Sequence, residues 1–166
     1  MDSTGEHGGA SRRTLLRALA AVPLGLSLPR RAGAAEYGSA AEVLDAIERL
    51  AAALDAQLEA LGAAVPSARA LVASLRADHR RHRDERARLR RRLGLAGPPL
   101  AERRPAAAPS LAPLRAAQEA LVYAHAEGLP ALGDPFAVDR LAHHMVELAR
   151  HLAIIDLWIQ TEEERG

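Results

Sequence analysis

The stretch Leu75–Leu93 reads LRADHRRHRDERARLRRRL, and its pattern decides the fold. Steps of four and three residues, which keep side chains on one face of an α-helix, trace a single stripe along it. The stripe consists of Leu75, His79, His82, Arg86, Leu89 and Leu93. A helix with two histidines and an arginine in the middle of its buried face predicts either a polar interior or a binding site.

The composition predicts a single helical domain. The chain has 166 residues, of which 49% are hydrophobic but only 2% aromatic, so the core must be built from Leu, Ala, Val and Ile. Leu and Ala are strong helix formers, and the length suits one domain with a substantial core. The chain has no cysteine, which excludes disulfides, thiolate metal sites and cysteine nucleophiles.

Residues 1–34 are predicted to be an export signal and not part of the fold. The sequence SRRTLLR at 11–17 resembles the twin-arginine signal, whose pattern is Ser-Arg-Arg-x-Phe-Leu-Lys, and its arginine pair is Arg12 and Arg13. A short apolar stretch follows, and then the cleavage motif Ala32-Gly33-Ala34. The resemblance implies that the twin-arginine translocase carries the folded chain to a periplasmic or other extracytoplasmic location.

Cleavage would leave residues 35–166 as the mature domain and would change its charge. It removes five of the 22 arginines and two of the 21 acidic residues, so the net charge falls from +1 to about −2. A slightly acidic domain lacks the electrostatic basis for binding nucleic acid, so no nucleic-acid partner is expected. The mature chain has no second hydrophobic segment, so we expect no membrane anchor in the mature form. The sequence leaves open whether the protein assembles into a homo-oligomer.

Four amphipathic helices are predicted in the mature chain, with no strand pattern between them. Capping residues, prolines and glycines mark their ends. Helix 1 spans Ser39–Leu61 and stops at Gly62, helix 2 spans Pro66–Leu93, helix 3 spans Ser110–Leu129, and helix 4 runs from Asp134-Pro135 to Glu163. They predict an antiparallel four-helix bundle. The proline-rich segment 94–109 could cross the whole bundle, which would make helices 2 and 3 parallel.

The apolar stripes predict which side chains are buried. On helix 1 the stripe is Val43, Ile47, Leu50, Leu54, Leu58 and Leu61; on helix 3 it is Leu114, Gln118, Leu121 and His125; on helix 4 it is Val138, Leu141, Met145, Leu148, Leu152, Ile155 and Ile159, with His144, His151 and Trp158 at its border. The opposite face of helix 2 carries Arg76, Arg80, Arg83, Arg90 and Arg91 with Asp84 and Glu85. Such a charged face is typically solvated; the alternative is a surface for anions or lipid.

Helices 2 to 4 resemble exported members of the ferritin-like superfamily. The resemblance covers roughly residues 38–160 and rests on DHRRH at 78–82 with Leu93-Gly94, QEALVYA at 118–124, LPALGDP at 129–135, and Glu147 with RHL at 150–152. It implies an all-α, ferritin-like four-helix bundle with a long crossover between helices 2 and 3. It also implies a metal–carboxylate centre, in which two helices each supply a Glu and two supply Glu-x-x-His.

The sequence departs from that metal pattern at most positions. Helix 2 has His79-x-x-His82, and helix 4 has Leu148 where the Glu is expected, with Glu147 one residue, or about 100°, out of register. On helix 3, Gln118 lies on the stripe and Glu119 points away from it. Helix 1 has no carboxylate on its stripe. A standard di-iron carboxylate site is therefore not expected.

The remaining candidate ligands are imidazoles, which suit zinc, copper and nickel. The candidates are His79, His82, His125, His144 and His151, with Gln118, Glu119, Glu147 and Arg86 as supporting residues. The alternative is that these groups satisfy one another in a buried polar network, in a non-enzymatic module whose metal site has decayed. No other catalytic constellation is recognisable, so an enzyme and a binding or structural module are both compatible with the sequence.

Overall fold

The structure, a computed structural model, describes residues 36–97 and 110–164, which form four α-helices. They are α1 (Ala40–Ala64), α2 (Arg69–Arg92), α3 (Leu111–Gly128) and α4 (Pro135–Glu163). These two ranges contain no strand, which confirms the predicted all-α class. The predicted export signal with Arg12 and Arg13, the cleavage residues Ala32 and Ala34, and residues 98–109 of the proline-rich segment lie outside the described residues.

The helix ends follow the sequence signals with one exception. The Ser39 hydroxyl accepts a hydrogen bond from the Glu42 amide, and the Asp134 carboxylate accepts one from the Ala137 amide. Gly94 follows α2 with a φ of +67°, the left-handed conformation that glycine adopts most readily. The prediction that α1 stops at Gly62 was wrong, because α1 continues to Ala64.

Gly62 serves close packing between α1 and α2. A Cβ atom at Gly62 would lie 3.1 Å from Cγ1 of Val72, so the missing side chain lets the two helices approach each other. The helix ends instead at Val65, where the following Pro66 disfavours helical backbone. A 3₁₀ turn, Pro66–Ala68, then leads into α2.

The helices pack as an antiparallel bundle. The start of α1 lies against the ends of both α2 and α3, since Asp45 pairs with Arg90 and Gly128 lies against Val43. Helix α3 in turn packs against α4. Helices α2 and α4 are neighbours too, but their backbones approach within 8 Å at far fewer positions than the other adjacent pairs. Longer side chains therefore have to fill the space between α2 and α4. None of the four helices is long and apolar enough to cross a membrane.

The core is aliphatic except at its centre. The predicted stripe of α1 is buried apart from Leu50, which is half-buried, and Leu44 and Ala51 are buried beside it. Leu75 and Leu89 of α2, and Leu114 and Leu121 of α3, are buried as predicted.

The buried face of α4 differs from the prediction. It consists of Ala137, Leu141, His144, Leu148, His151 and Ile155. Leu141, Leu148 and Ile155 of the predicted stripe are buried, but Val138, Met145, Leu152 and Ile159 are half-buried, whereas His144 and His151, predicted to border the stripe, are buried. Both histidines pair with carboxylates of α2, His144 with Glu85 and His151 with Asp78, and hydrophobic periodicity does not predict such pairs.

The outer face of α2 is less solvated than predicted, because Arg76 and Glu85 are half-buried and Arg90 is buried. Arg90, predicted to be solvated, is buried; its guanidinium donates to Asp45 over 2.6 Å and to the carbonyls of Ala96 and Gly97. The chain turns back over Arg90 after α2 ends, so an arginine there caps the turn. Arg80, Arg83 and Arg91 are exposed.

The contact between Gly128 and Val43 makes a testable packing prediction. A Cβ atom at Gly128 would clash with Cγ1 of Val43, although the backbone φ of −80° suits any residue. We expect Gly128→Ala to lower the free energy of unfolding by about 1–3 kcal/mol through overpacking. Urea denaturation measures the change. In a Val43→Ala background the same substitution should be neutral or stabilising; an equal loss in both backgrounds would refute the contact.

Candidate metal centre

Five histidines meet in the interior of the bundle, and we call them the imidazole cluster. Helix α2 supplies two, α3 one and α4 two, and no member is more than 7% exposed. The members are His79, His82, His125, His144 and His151, which are the five predicted candidate ligands.

The rings of the imidazole cluster form a continuous row. The centroids of His151 and His79 are 5.4 Å apart, those of His79 and His82 are 6.3 Å apart, and those of His82 and His144 are stacked at 4.3 Å. His125 extends the row, with its centroid 6.2 Å from that of His144. The row thus connects three of the four helices.

Three carboxylates, which we call the carboxylate rim, hold this row between α2 and α4. The Nε2 atoms of His151 and His144 lie 3.1 Å from Asp78 and 2.7 Å from Glu85. The Nε2 atom of His82 likewise makes a short hydrogen bond to Glu147. Because each pair joins an acceptor on one helix to an imidazole on the other, the contacts bridge the widest gap in the bundle.

Sequence reasoning missed two members of the carboxylate rim. Glu85 was predicted to be on the solvated face of α2, and Asp78 entered only as part of a family motif. The sequence signal for these pairs is complementary spacing on α2 and α4. In antiparallel register, Asp78 lies opposite His151, His82 opposite Glu147, and Glu85 opposite His144. Single-helix periodicity does not reveal such a match, because it appears only once α2 and α4 are aligned.

The four predicted supporting residues have different environments. Glu147 contacts the cluster through His82, and the Gln118 amide donates to the Leu148 carbonyl over 2.9 Å. Glu119 points away from the cluster and accepts from Arg115.

Arg86 is the fourth predicted supporting residue, and its partner was not predicted. It is 2% exposed, and its guanidinium donates to both carboxylate oxygens of Glu48 on α1. Helix 1 therefore does bring a carboxylate into the interior, although Glu48 lies beside the predicted stripe and not on it.

Burial keeps the histidines neutral. Desolvation lowers the pKa of His79 and of His125 to about 3 and that of His144 to about 4, and it also lowers the pKa of His82 and His151. A charged imidazole would have to give up its hydration in this interior.

Two members of the carboxylate rim, Glu85 and Glu147, have lowered pKa values and keep their negative charge. The hydrogen bond from His144 lowers the pKa of Glu85. Burial alone would raise the pKa of Glu147, but hydrogen bonds from His82 and Arg81 outweigh it and lower the pKa to about 2. Neutral imidazoles therefore face ionised carboxylates.

This arrangement fixes which ring nitrogen carries the proton. An ionised carboxylate only accepts, so Nε2 of His82, His144 and His151 carries the hydrogen and Nδ1 carries the lone pair. In His125 the roles reverse, because Nδ1 lies 2.8 Å from the Leu121 carbonyl and donates to it.

The lone-pair nitrogens of the cluster lack partners among the described residues. They are Nδ1 of His82, His144 and His151 and Nε2 of His125; Nε2 of His79 is unpaired as well. All five atoms are buried, and a buried polar atom without a hydrogen bond costs free energy. Metal-binding histidines typically show this pattern, with one nitrogen donating to a carboxylate or carbonyl and the other left for the metal.

Charge fits a divalent metal ion better than ring spacing does. Metal–nitrogen bonds of about 2 Å place the centroids of two ligating imidazoles about 5 Å apart in a tetrahedral site, a spacing that the pair His79 and His151 approaches at 5.4 Å, whereas His82 and His144 are stacked at 4.3 Å. In the hydrogen-bonded network around the cluster, four carboxylates (Asp78, Glu85, Glu147 and Glu48) outnumber two guanidiniums (Arg81 and Arg86), which leaves a charge of −2. Within residues 36–97 and 110–164, however, no three His, Asp or Glu side chains are already arranged to hold a metal.

No protein-family model, curated protein or solved structure matches the chain.

Proposed function

We propose that this chain is an exported ferritin-like protein that binds a transition metal through the imidazole cluster. The observation that carries the proposal is the set of buried lone-pair nitrogens whose opposite ring nitrogens are held by carboxylates or a carbonyl. Imidazole ligands suit zinc, copper and nickel, and a bound metal would add Lewis-acid or redox chemistry to the bundle.

Helix directions support the ferritin-like part of the proposal. Because α2 and α3 both run antiparallel to α1, they are parallel to each other, as the corresponding helices are in the ferritin-like arrangement. The metal ligands would then lie in the bundle interior on facing helices, as ferritin-like ligands do. Histidines in place of glutamates would favour a metal that prefers nitrogen over oxygen.

The N-terminal sequence supports the export part of the proposal. Twin-arginine export carries proteins that have already folded, so the buried cluster would form, and could be loaded, before translocation. The partner at that stage is the twin-arginine translocase, and the destination is periplasmic or otherwise extracytoplasmic.

Metal titration of the full chain tests this function. We expect Co(II) to bind at one site with the visible absorption of a tetrahedral ion, and Zn(II) to displace it. His125→Leu should abolish the signal because it removes a ligand from α3. Glu147→Gln and Glu85→Gln should weaken affinity about 10–100-fold, the usual cost of losing a residue that orients a ligand.

Glu119→Gln is the matched control, since it removes a carboxylate near the site that points away from the cluster. Helical circular dichroism establishes that each variant is folded. A full chain that binds no Co(II), Zn(II) or Cu would refute the proposal, as would a His125→Leu variant that binds as tightly as the unaltered chain.

A second candidate is a non-enzymatic bundle whose metal site has decayed. It is favoured by the buried guanidinium of Arg86 beside the cluster and by the lack of a ready coordination group in the described residues. It predicts that His79→Leu combined with His82→Leu leaves the protein folded and no less stable, because buried polar atoms become apolar. The metal-binding proposal predicts that the same variant loses Co(II) binding.

A further inference from the structure

Glu147 occupies an unusual position between the surface and the imidazole cluster. One of its oxygens accepts from the Nε2 atom of His82, which is 1% exposed. Its other oxygen lies 3.5 Å from the Nε2 atom of His143, which is 61% exposed. A single carboxylate thus touches an interior imidazole and a solvent-facing one.

His143 and Glu147 could together capture a cation at the surface. They are four residues apart on α4, a spacing that places side chains side by side on one face of a helix. Imidazole and carboxylate are both ligands for divalent transition metals. The pair lies at the junction of α2 and α4, since Glu147 is hydrogen-bonded to Arg81 and His82 of α2.

We infer that His143 and Glu147 form a surface loading site through which a divalent metal ion enters the imidazole cluster. The hydrated ion binds His143 and the adjacent Glu147 oxygen, and then moves past Glu147 to the lone-pair nitrogens of the imidazole cluster, because Nε2 of His82 carries its proton. The path is short because Glu147 contacts both His143 and His82, a member of the cluster. This inference rests on the proposed metal-binding function.

Arg81 opposes entry at the same place. Its guanidinium donates to Glu147 over 3.1 Å and to Asp78 over 2.9 Å, and its side chain is 51% exposed. Its positive charge repels an approaching cation and occupies the carboxylate that would receive it. An incoming ion therefore has to displace Arg81, which can swing into solvent. Removing either residue should consequently change the loading rate, but in opposite directions.

Stopped-flow loading of the full chain with Co(II) tests the route. His143→Ala should slow loading about tenfold, the effect of losing one weak ligand contact. Arg81→Gln should accelerate loading by on the order of tenfold, since local charge changes association rates on that scale. Glu59→Gln is the control: it removes one exposed charge on α1, where Glu59 pairs with Arg76, and should leave the rate unchanged.

Release into an excess of chelator separates a loading residue from a ligand. His143→Ala should also slow release, because the ion leaves by the same route, whereas loss of a ligand would accelerate release. Loading of His143→Ala at the unaltered rate, or faster release from it, would overturn the inference and leave the metal-binding function intact. A chain that takes up no Co(II) at any time would instead refute the underlying function.

Discussion

Replacing Glu48 with alanine is expected to lower the free energy of unfolding by about 3–5 kcal/mol, the cost of leaving a buried charge without its partner. The guanidinium of Arg86 is 2% exposed and donates to Glu48 over 2.8 Å and 3.4 Å. Arginine does not shed its proton, so the charge stays in the interior when the carboxylate is removed. Urea denaturation followed by circular dichroism measures the loss.

A surface pair provides the matched control for Glu48. Glu59 pairs with Arg76 over 3.3 Å, but its side chain is 57% exposed, so Glu59→Ala should cost less than about 1 kcal/mol. Equal losses for the two variants would show that Arg86 is not confined to the interior.

A double variant keeps the Glu48 prediction testable if Glu48→Ala does not fold. Replacing Glu48 and Arg86 together with leucine and methionine removes the charge as well as its partner. We expect this variant to fold with stability equal to or above that of the unaltered chain, because apolar groups often replace a buried ion pair without loss. A double variant as unstable as Glu48→Ala would mean that the loss comes from packing and not from charge.

Helix content could be predicted from the sequence because the signals that determine it are local. The caps at Ser39 and Asp134, the glycine after α2 and the continuous Leu and Ala stripes all act within a few residues of the backbone they control. The end of α1 was misjudged for the opposite reason. A glycine is needed at position 62 because Val72 of the neighbouring helix α2 packs against it, and the residues next to Gly62 in the sequence do not reveal that contact.

The histidines of the site could be predicted, but their partners could not. His79 and His82 interrupt an apolar stripe, and this makes them visible within one helix. Asp78, Glu85 and Glu48 lie at the edges of stripes, where charged residues are ordinarily solvated. Whether one of these carboxylates faces a neighbouring helix depends on the rotation and register of the two helices. The periodicity of a single helix determines neither.

The same limit applies to the buried face of α4. Hydrophobic periodicity grouped Met145 and Leu152 with the buried residues Leu141, Leu148 and Ile155 in one stripe, and it placed the histidines at the border. His144 and His151 are instead buried and pair with carboxylates of α2. Hydrophobic periodicity does not predict such polar pairs across an interface.

Acidification of the metal-free protein should unfold it well above the pH at which carboxylates ordinarily protonate. The pKa of His79 and of His125 is about 3, and that of His144 about 4, against 6.5 for an exposed histidine. The unfolded chain therefore takes up protons first, and stability falls as the pH drops below about 6.5. For each of these three residues the loss between pH 7 and pH 5 is about 2 kcal/mol. Together they approach the whole stability of a typical domain, about 5–15 kcal/mol.

Glu147 adds a second, lower window to the acid transition. Its pKa of about 2 lies below the ordinary 4.5, so the stability it contributes is present above pH 4.5 and is lost as the pH falls towards 2. Urea denaturation at several pH values in the presence of a chelator measures the histidine window. His79→Gln should reduce the slope between pH 6 and 5 by about 1.4 kcal/mol per pH unit, one proton's worth. His143→Gln, which alters a side chain that is 61% exposed, should not reduce it. Stability that stays constant from pH 7 to 5 would contradict the burial of the imidazole cluster, because neutral histidines in a dry interior must resist protonation that the unfolded chain accepts.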